Sequence, residues 1–185
     1  MLTFDDGPHP EGTPAVLELL AAAGASATFF LVGEQVERRP DLAARIAAEG
    51  HDVGVHCHRH TGLLRMSPGR TRDDLLRAAA AIEAAVGTVR LYRPPYGVLN
   101  TAALVTARQQ GWQTWLWRRE GRDWEARATA ESIAARLTHG LRSGDVLLLH
   151  DADFYAAPES WRSTVQALPL VLAELERREL RLRRL

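Results

Sequence analysis

The sequence predicts a parallel α/β fold, closed into a (β/α) barrel, complete or distorted, or left as an open doubly wound sheet. Three observations point there. Short apolar runs alternate with amphipathic helical stretches along the whole chain. Most of the helical stretches stop at a glycine, the residue that best tolerates the left-handed backbone of a helix end. The residues able to do chemistry fall just past the C-terminal ends of the strands, the face that carries reactions in a parallel barrel. No Gly-rich phosphate loop follows the first strand, which weighs against a dinucleotide-binding sheet.

The elements follow in order. Thr3-Phe4 is a short apolar strand ending in Asp5-Asp6-Gly7-Pro8. Thr13-Pro14 reads as an N-cap and first-turn proline, after which Val16, Leu19, Leu20 and Ala23 recur at helical spacing up to Gly24. Residues 27–32 form a buried strand, and 35–49 a second helix stopped by Gly50. A short strand spans 52–55. Thr71 with Asp74 opens a third helix carrying Leu75, Ala79, Ile82 and Val86, ended by Gly87. Residues 90–92 are a strand, Asn100 caps a helix ending at Gly111, and 112–117 is the next strand. Thr129 caps a helix ending at Gly140, 145–149 is an apolar strand, and a helix from 161 to 178 bends near Pro169. Leu180-Arg181-Leu182 reads as a last, half-exposed strand. The total is about seven strands and six helices, with no linker and no low-complexity segment, so residues 1–185 are expected to be one domain.

The totals narrow the function. The formal net charge is zero, so bulk charge draws the chain to neither nucleic acid nor membrane. None of the 23 basic side chains is Lys, which with the abundant Ala suggests base composition of the coding DNA rather than function. Cys57 is the only cysteine, so no intrachain disulfide forms. No apolar run reaches transmembrane length and no signal peptide opens the chain. As it stands the sequence is expected in the cytoplasm; a start lying upstream would make it extracytoplasmic.

Asp5-Asp6 is the most informative pair. Two adjacent carboxylates resist joint burial unless a cation or a proton satisfies one of them. His56 and His60, four apart, can meet on one face and bind one ion if the chain turns helical there. Two histidines and one carboxylate leave open positions, which suits a catalytic metal that activates water, with the second carboxylate free to act as base. Cys57, adjacent to His56, points away. Arg93-Pro94-Pro95-Tyr96-Gly97 is a rigid loop able to aim a backbone N–H at a developing oxyanion. Asp123 can pair with Arg93, Trp124 can wall a pocket for a small acyl group, and His150 is a plausible general acid.

With these residues in place the chain resembles the NodB-type polysaccharide deacetylases, the family 4 carbohydrate esterases. The likeness runs through five motifs in order: Thr3-Phe4-Asp5-Asp6-Gly7-Pro8, His56 to His60, Arg93-Pro94-Pro95-Tyr96-Gly97, Glu120-Gly121-Arg122-Asp123-Trp124 and Leu148-Leu149-His150. The resemblance implies a distorted (β/α) barrel with about seven parallel strands and outer helices. It implies Asp5 as general base, and Asp6, His56 and His60 as ligands of a divalent metal, zinc first and cobalt as an alternative. It gives Pro95 and Tyr96 to the groove, the Tyr96 N–H to the oxyanion, and Asp123 to a pair with Arg93. Leu148 falls in an acetyl pocket and His150 becomes the acid. The activity implied is removal of N-acetyl groups from N-acetylglucosamine units of an oligo- or polysaccharide. An O-acetyl esterase acting on xylan-type polymers and a sugar-binding homologue without turnover are the rivals. Two positions depart from the family pattern: Cys57 stands where Ser or Thr is usual, and Glu120 where Asp is frequent. The absent secretion signal departs from many members.

Overall fold

The computed structural model describes residues 1–185. The strands are β1 (Leu2–Asp5), β2 (Thr28–Val32), β3 (Asp52–Cys57), β4 (Leu91–Tyr92), β5 (Gln113–Thr114), β6 (Arg119–Glu120) and β7 (Leu147–His150). They form one seven-stranded sheet in the order β5-β4-β3-β2-β1-β7-β6. Every pairing is parallel. The edge strands β5 and β6 do not pair with each other; residues 115–118 carry the chain from one to the other. That short link limits the opening to about 18 Å. The architecture is therefore a distorted (β/α) barrel with an open seam.

The helices are α1 (Gly12–Ala22), α2 (Gly33–Arg38), α3 (Pro40–Ala48), α4 (Pro68–Val86), α5 (Thr101–Gln109), α6 (Ala130–Thr138) and α7 (Ser160–Arg177). Period-two alternation decides which strand residues meet them. Leu2, Phe4, Phe29, Leu31, Val53, Val55, Leu147 and Leu149 face outward into one apolar core. There they pack with Val16, Leu17 and Leu20 of α1, Leu75 and Ile82 of α4, Ile133 and Leu137 of α6, and Leu168 and Val171 of α7. Phe4 and Phe29 stack at 5.1 Å between ring centres. Each such side chain contributes about 1.5–3 kcal/mol on burial. The alternate positions, Thr3 and Asp5, Phe30, Gly54 and His56, and Leu148 and His150, line the inside of the barrel. The register sets Asp5 level with Phe30 on one side and His150 on the other.

Several expectations need correction. Residues 180–182 are not a strand; Leu180 and Leu182 pack against the core while Arg184 reaches the Gly50 carbonyl at 3.2 Å. The seventh strand is instead β6, two polar residues whose periodicity carries no signal. It forms because β7 has a free edge, and Arg119 is fixed by Asp145 at 2.7 Å. The helix expected over 35–49 is two helices, since Pro40 forces Arg39 out of helical geometry (φ −140°, ψ 60°). The third predicted helix, α4, starts earlier, at Pro68, with Ser67 as its cap. Thr13 does not cap α1: it sits inside the helix and its hydroxyl donates to Asp151, while Nδ1 of His9 accepts the first N–H groups of the helix. The strand expected over 112–117 is only two residues long. As expected, one long helix, α7, holds Pro169 in its interior. Asn100 and Thr129 are the caps expected, accepting from Ala103 N and Ser132 N. No helix is long and apolar enough to cross a membrane.

Candidate active site

The site is built on the inner face at the C-terminal ends of the strands. β1 ends at Asp5, and Asp6 then turns into the left-handed region (φ 79°). That turn lets two neighbouring carboxylates share the barrel mouth, although side chains on a continuing strand would diverge. Asp5 Oδ1 accepts from Arg93 Nη1 at 2.8 Å. Arg93 is fully buried just past β4. Its Nη1 also donates to Thr3 Oγ1 at 2.7 Å and its Nε to the Trp115 carbonyl at 3.2 Å. The guanidinium lies 4.1 Å from the Phe30 ring centre, with Trp117 at 5.7 Å. Burial pushes the Asp5 carboxyl above its ordinary pKa, and Arg93 opposes that rise. The pairing of Asp123 with Arg93 read from the sequence is thus corrected: Arg93 serves Asp5.

His56 lies inside β3, and its Nδ1 meets the Arg93 carbonyl at 2.8 Å. A proton on Nδ1 donated there leaves Nε2 with its lone pair free. No helical turn joins His56 to His60, contrary to the sequence-based expectation. The strand ends at Cys57 and the chain bends back, with the Asp74 carboxylate of α4 accepting the N–H groups of His58 (2.8 Å) and Arg59 (3.0 Å). Cys57 is buried and lies outside the ligand group. Nε2 of His56 and of His60 lie 3.5 and 3.3 Å from Asp6 Oδ1.

These three residues fit a divalent cation. Their ligand atoms all lie within 4.8 Å of one another. Asp6 Oδ1 is buried without a hydrogen-bond partner, and an orphaned carboxylate oxygen is costly unless a cation satisfies it. Burial lowers both histidines to about 3, so they present lone pairs rather than protons to Asp6. Asp6 Oδ1 stands 3.5 and 3.3 Å from the two Nε2 atoms, close enough for one ion to take all three as ligands.

On the strand beside β1, His150 ends β7. Asp123, buried three residues beyond β6, accepts from the His150 backbone N–H at 2.6 Å and faces Nδ1 at 2.9 Å. Thr164 of α7 donates to the same carboxylate at 2.7 Å. Burial works against a charged imidazole here, but Asp123, with Asp6 and Asp5 beyond it, outweighs that effect and raises His150 to about 10. Trp124 stands edge-on to His150, ring centres 5.3 Å apart. Leu148 is buried on the inner face two residues before His150.

Pro95 is buried and Tyr96 exposed in a short 3-10 turn after Arg93, with Tyr96 in the left-handed region (φ 59°, ψ 11°). A non-glycine residue held there is strained, and such residues cluster at functional sites. The Tyr96 ring meets His60 edge-on at 4.6 Å. The contacts above join Asp5, Arg93, Asp6, His56, His60, Tyr96, Asp123, His150 and Trp124, and Pro95 and Leu148 lie on the adjoining turn and strand. Reading by motif gave no role to Thr3, Asp74, Thr164 or Tyr155. Thr3 was visible only as the start of the Thr3–Pro8 motif and Asp74 only as a helix-start residue, while Thr164 and Tyr155 lie in no chemical pattern.

Residues 1–115 match the model of the family described as polysaccharide deacetylase. A peptidoglycan-N-acetylglucosamine deacetylase from Bacillus cereus is 39% identical over 178 residues, 95% of this chain and 81% of that protein. A chitooligosaccharide deacetylase from Bradyrhizobium is 37% identical over 187 residues, 96% and 84% of the two chains. The solved structure of a family 4 carbohydrate esterase from Streptomyces lividans in complex with acetate superposes with a TM-score of 0.86 at 28% identity, covering 97% of this chain and 88% of that one. With five motifs gathered at one barrel mouth, the chain belongs to the polysaccharide deacetylase family.

Proposed function

We propose that this protein hydrolyses the N-acetyl groups of N-acetylglucosamine units in peptidoglycan- or chitooligosaccharide-type saccharides, releasing acetate and a free amine. The observation that carries the reading is the presence of two separate charge pairs, Arg93 with Asp5 and Asp123 with His150, together with the Asp6, His56 and His60 group. The names of the two curated relatives support the substrate class.

Asp6, His56 and His60 would hold a divalent ion, zinc first by its preference for nitrogen and oxygen donors, with cobalt suiting the same set. When bound, such an ion supplies Lewis acidity and lowers the pKa of water. The protein's own groups do the rest. Asp5, oriented by Arg93, takes a proton from the attacking water. The Tyr96 N–H, on a strained turn, donates to the oxyanion that forms when water adds to the acetamide carbonyl. His150, held protonated by Asp123, gives its proton to the amine nitrogen as the C–N bond breaks. Leu148, Pro95 and Trp124 wall the space for the acetyl methyl.

The test is acetate release from N-acetylated chitooligosaccharides and peptidoglycan fragments, with and without chelator, beside acetylxylan. Chelator-sensitive release from the N-acetyl substrates, lost in Asp5→Asn and His150→Ala, is expected. Release from acetylxylan alone would move the reading to an O-acetyl esterase. Full activity in metal-free protein would sink the metal.

A further inference from the structure

The two histidines of the site are held differently. His56 has a hydrogen bond from Nδ1 to the Arg93 carbonyl at 2.8 Å. A metal-ligating histidine is ordinarily oriented in this way through its other nitrogen. Nδ1 of His60 is buried and meets no partner in another residue. His60 also lies beyond the end of β3, so the sheet ladder does not fix its backbone. Something else must set the plane of its ring.

Tyr155 does so by position. It sits on the segment joining β7 to α7, and its ring stacks on His60 with centres 4.4 Å apart and planes 14° apart. The far end of the ring is pinned: the hydroxyl donates to Glu34 Oε1 at 2.7 Å and accepts from Gln35 Nε2 at 3.1 Å. Glu34 and Gln35 open α2, and the Glu34 N–H donates to the His58 carbonyl at 3.1 Å, in the same loop as His60. The segment bearing Tyr155 is itself tied down, by Ala157 N to the Trp124 carbonyl at 3.1 Å and Glu159 N to Asp153 Oδ2 at 2.6 Å. With Tyr96 edge-on at 4.6 Å, the imidazole is clamped on two sides by aromatic rings. An imidazole that donates its lone pair to a cation is electron-poor, and the face of a phenol that donates to a carboxylate is electron-rich.

We propose that Tyr155 is a positioning residue for His60: its pinned ring replaces the missing hydrogen bond on Nδ1 and thereby sets the affinity of the site for its divalent ion. This rests on reading Asp6, His56 and His60 as a metal site. The experiment measures Zn²⁺ and Co²⁺ affinity of the whole chain by competition with a chromophoric chelator. It also records the visible spectrum of the Co²⁺ form, which a loss of stability alone does not change. Wild type is compared with Tyr155→Phe, Tyr155→Leu and Tyr155→Ala, each checked for folding by circular dichroism.

Removing support of this kind typically weakens metal binding about 10- to 100-fold. Tyr155→Leu and Tyr155→Ala are expected about tenfold weaker or more, with an altered Co²⁺ spectrum. Tyr155→Phe, which keeps the stacked ring but loses the two hydrogen bonds that pin it, should bind more weakly than wild type and more tightly than the leucine variant. If the alanine variant does not fold, the leucine variant, closer in volume, decides. Folded variants without the ring that bind as tightly as wild type overturn the proposal, and so does a Phe variant as weak as Leu. Wild type that binds neither ion removes the metal reading and this inference together.

Discussion

Asp123 holds His150 at both ends of the residue, with one carboxylate oxygen 2.6 Å from its backbone nitrogen and the other 2.9 Å from Nδ1. The imidazole is thereby held through Nδ1, leaving Nε2 free, and in the metal-free protein stays charged up to about 10. An acid is useful only while protonated, so the rate should fall on the alkaline side, and a cation on Asp6, which repels the charged imidazole, should set that fall below the metal-free value. In Asp123→Asn the attraction that raises the pKa is gone and burial remains. The alkaline loss should then begin at lower pH, and kcat should drop about 100-fold or more. A pH–rate profile of the two proteins checks this; an unmoved alkaline limb would count against His150 as the acid.

Arg93 neutralises Asp5 inside the barrel, with 0% and 3% side-chain exposure. Arg93→Met leaves a buried carboxylate without its partner, which typically costs about 3–5 kcal/mol. Asp5→Asn in the same chain removes the stranded charge and should restore much of that loss. Urea unfolding of the two single variants and the double variant measures the coupling. Additive losses would show that the two side chains act independently.

Metal binding should release close to one proton near pH 6. In the metal-free protein burial raises Asp6 to about 7, with Asp5, Asp151 and Asp123 adding to the rise against His150, while His56 and His60 are already neutral. The carboxyl is therefore the ligand that must give up a proton. Zn²⁺ titration calorimetry in buffers of different ionisation enthalpy counts it. Release of no proton would mean that Asp6 is already ionised in the metal-free protein. Asp6→Ala, His56→Ala and His60→Ala should each lose the ion, whereas Asp5→Asn keeps it.

Gly54 makes room for the ring beneath Arg93. A Cβ there would stand 2.8 Å from the Phe30 ring and 2.9 Å from Leu91 Cβ. Gly54→Ala should destabilise the fold by about 1–3 kcal/mol through overpacking. It should also slow turnover, because displacing Phe30 displaces Arg93. Denaturant midpoint and kcat read the two effects separately.

Much of this was legible because it is local. The outward apolar residues of β2 and β7 announce themselves by composition, and Asn100 and Thr129 by cap chemistry. The site residues were legible because carboxylates, histidines and an arginine lie at strand ends. β6 was not, since Arg119 and Glu120 have no apolar alternation and pair only because β7 offers a free edge. Which acid serves which base was not legible either. The sequence order Arg93, Asp123, His150 is equally compatible with an Asp123–Arg93 pair.

The chain's own periodicity and residue types determined a parallel α/β fold, the set of reacting groups and the end of the sheet where they gather, because strand and helix faces are properties of neighbours in sequence. The tertiary structure alone decided the partners: Asp5 with Arg93, Asp123 with His150 and Thr164, Asp74 beneath the histidine loop, and Tyr155 on His60. Those contacts join residues far apart along the chain. Barrel register and the bend after β3 set their distances, and no local pattern encodes either one.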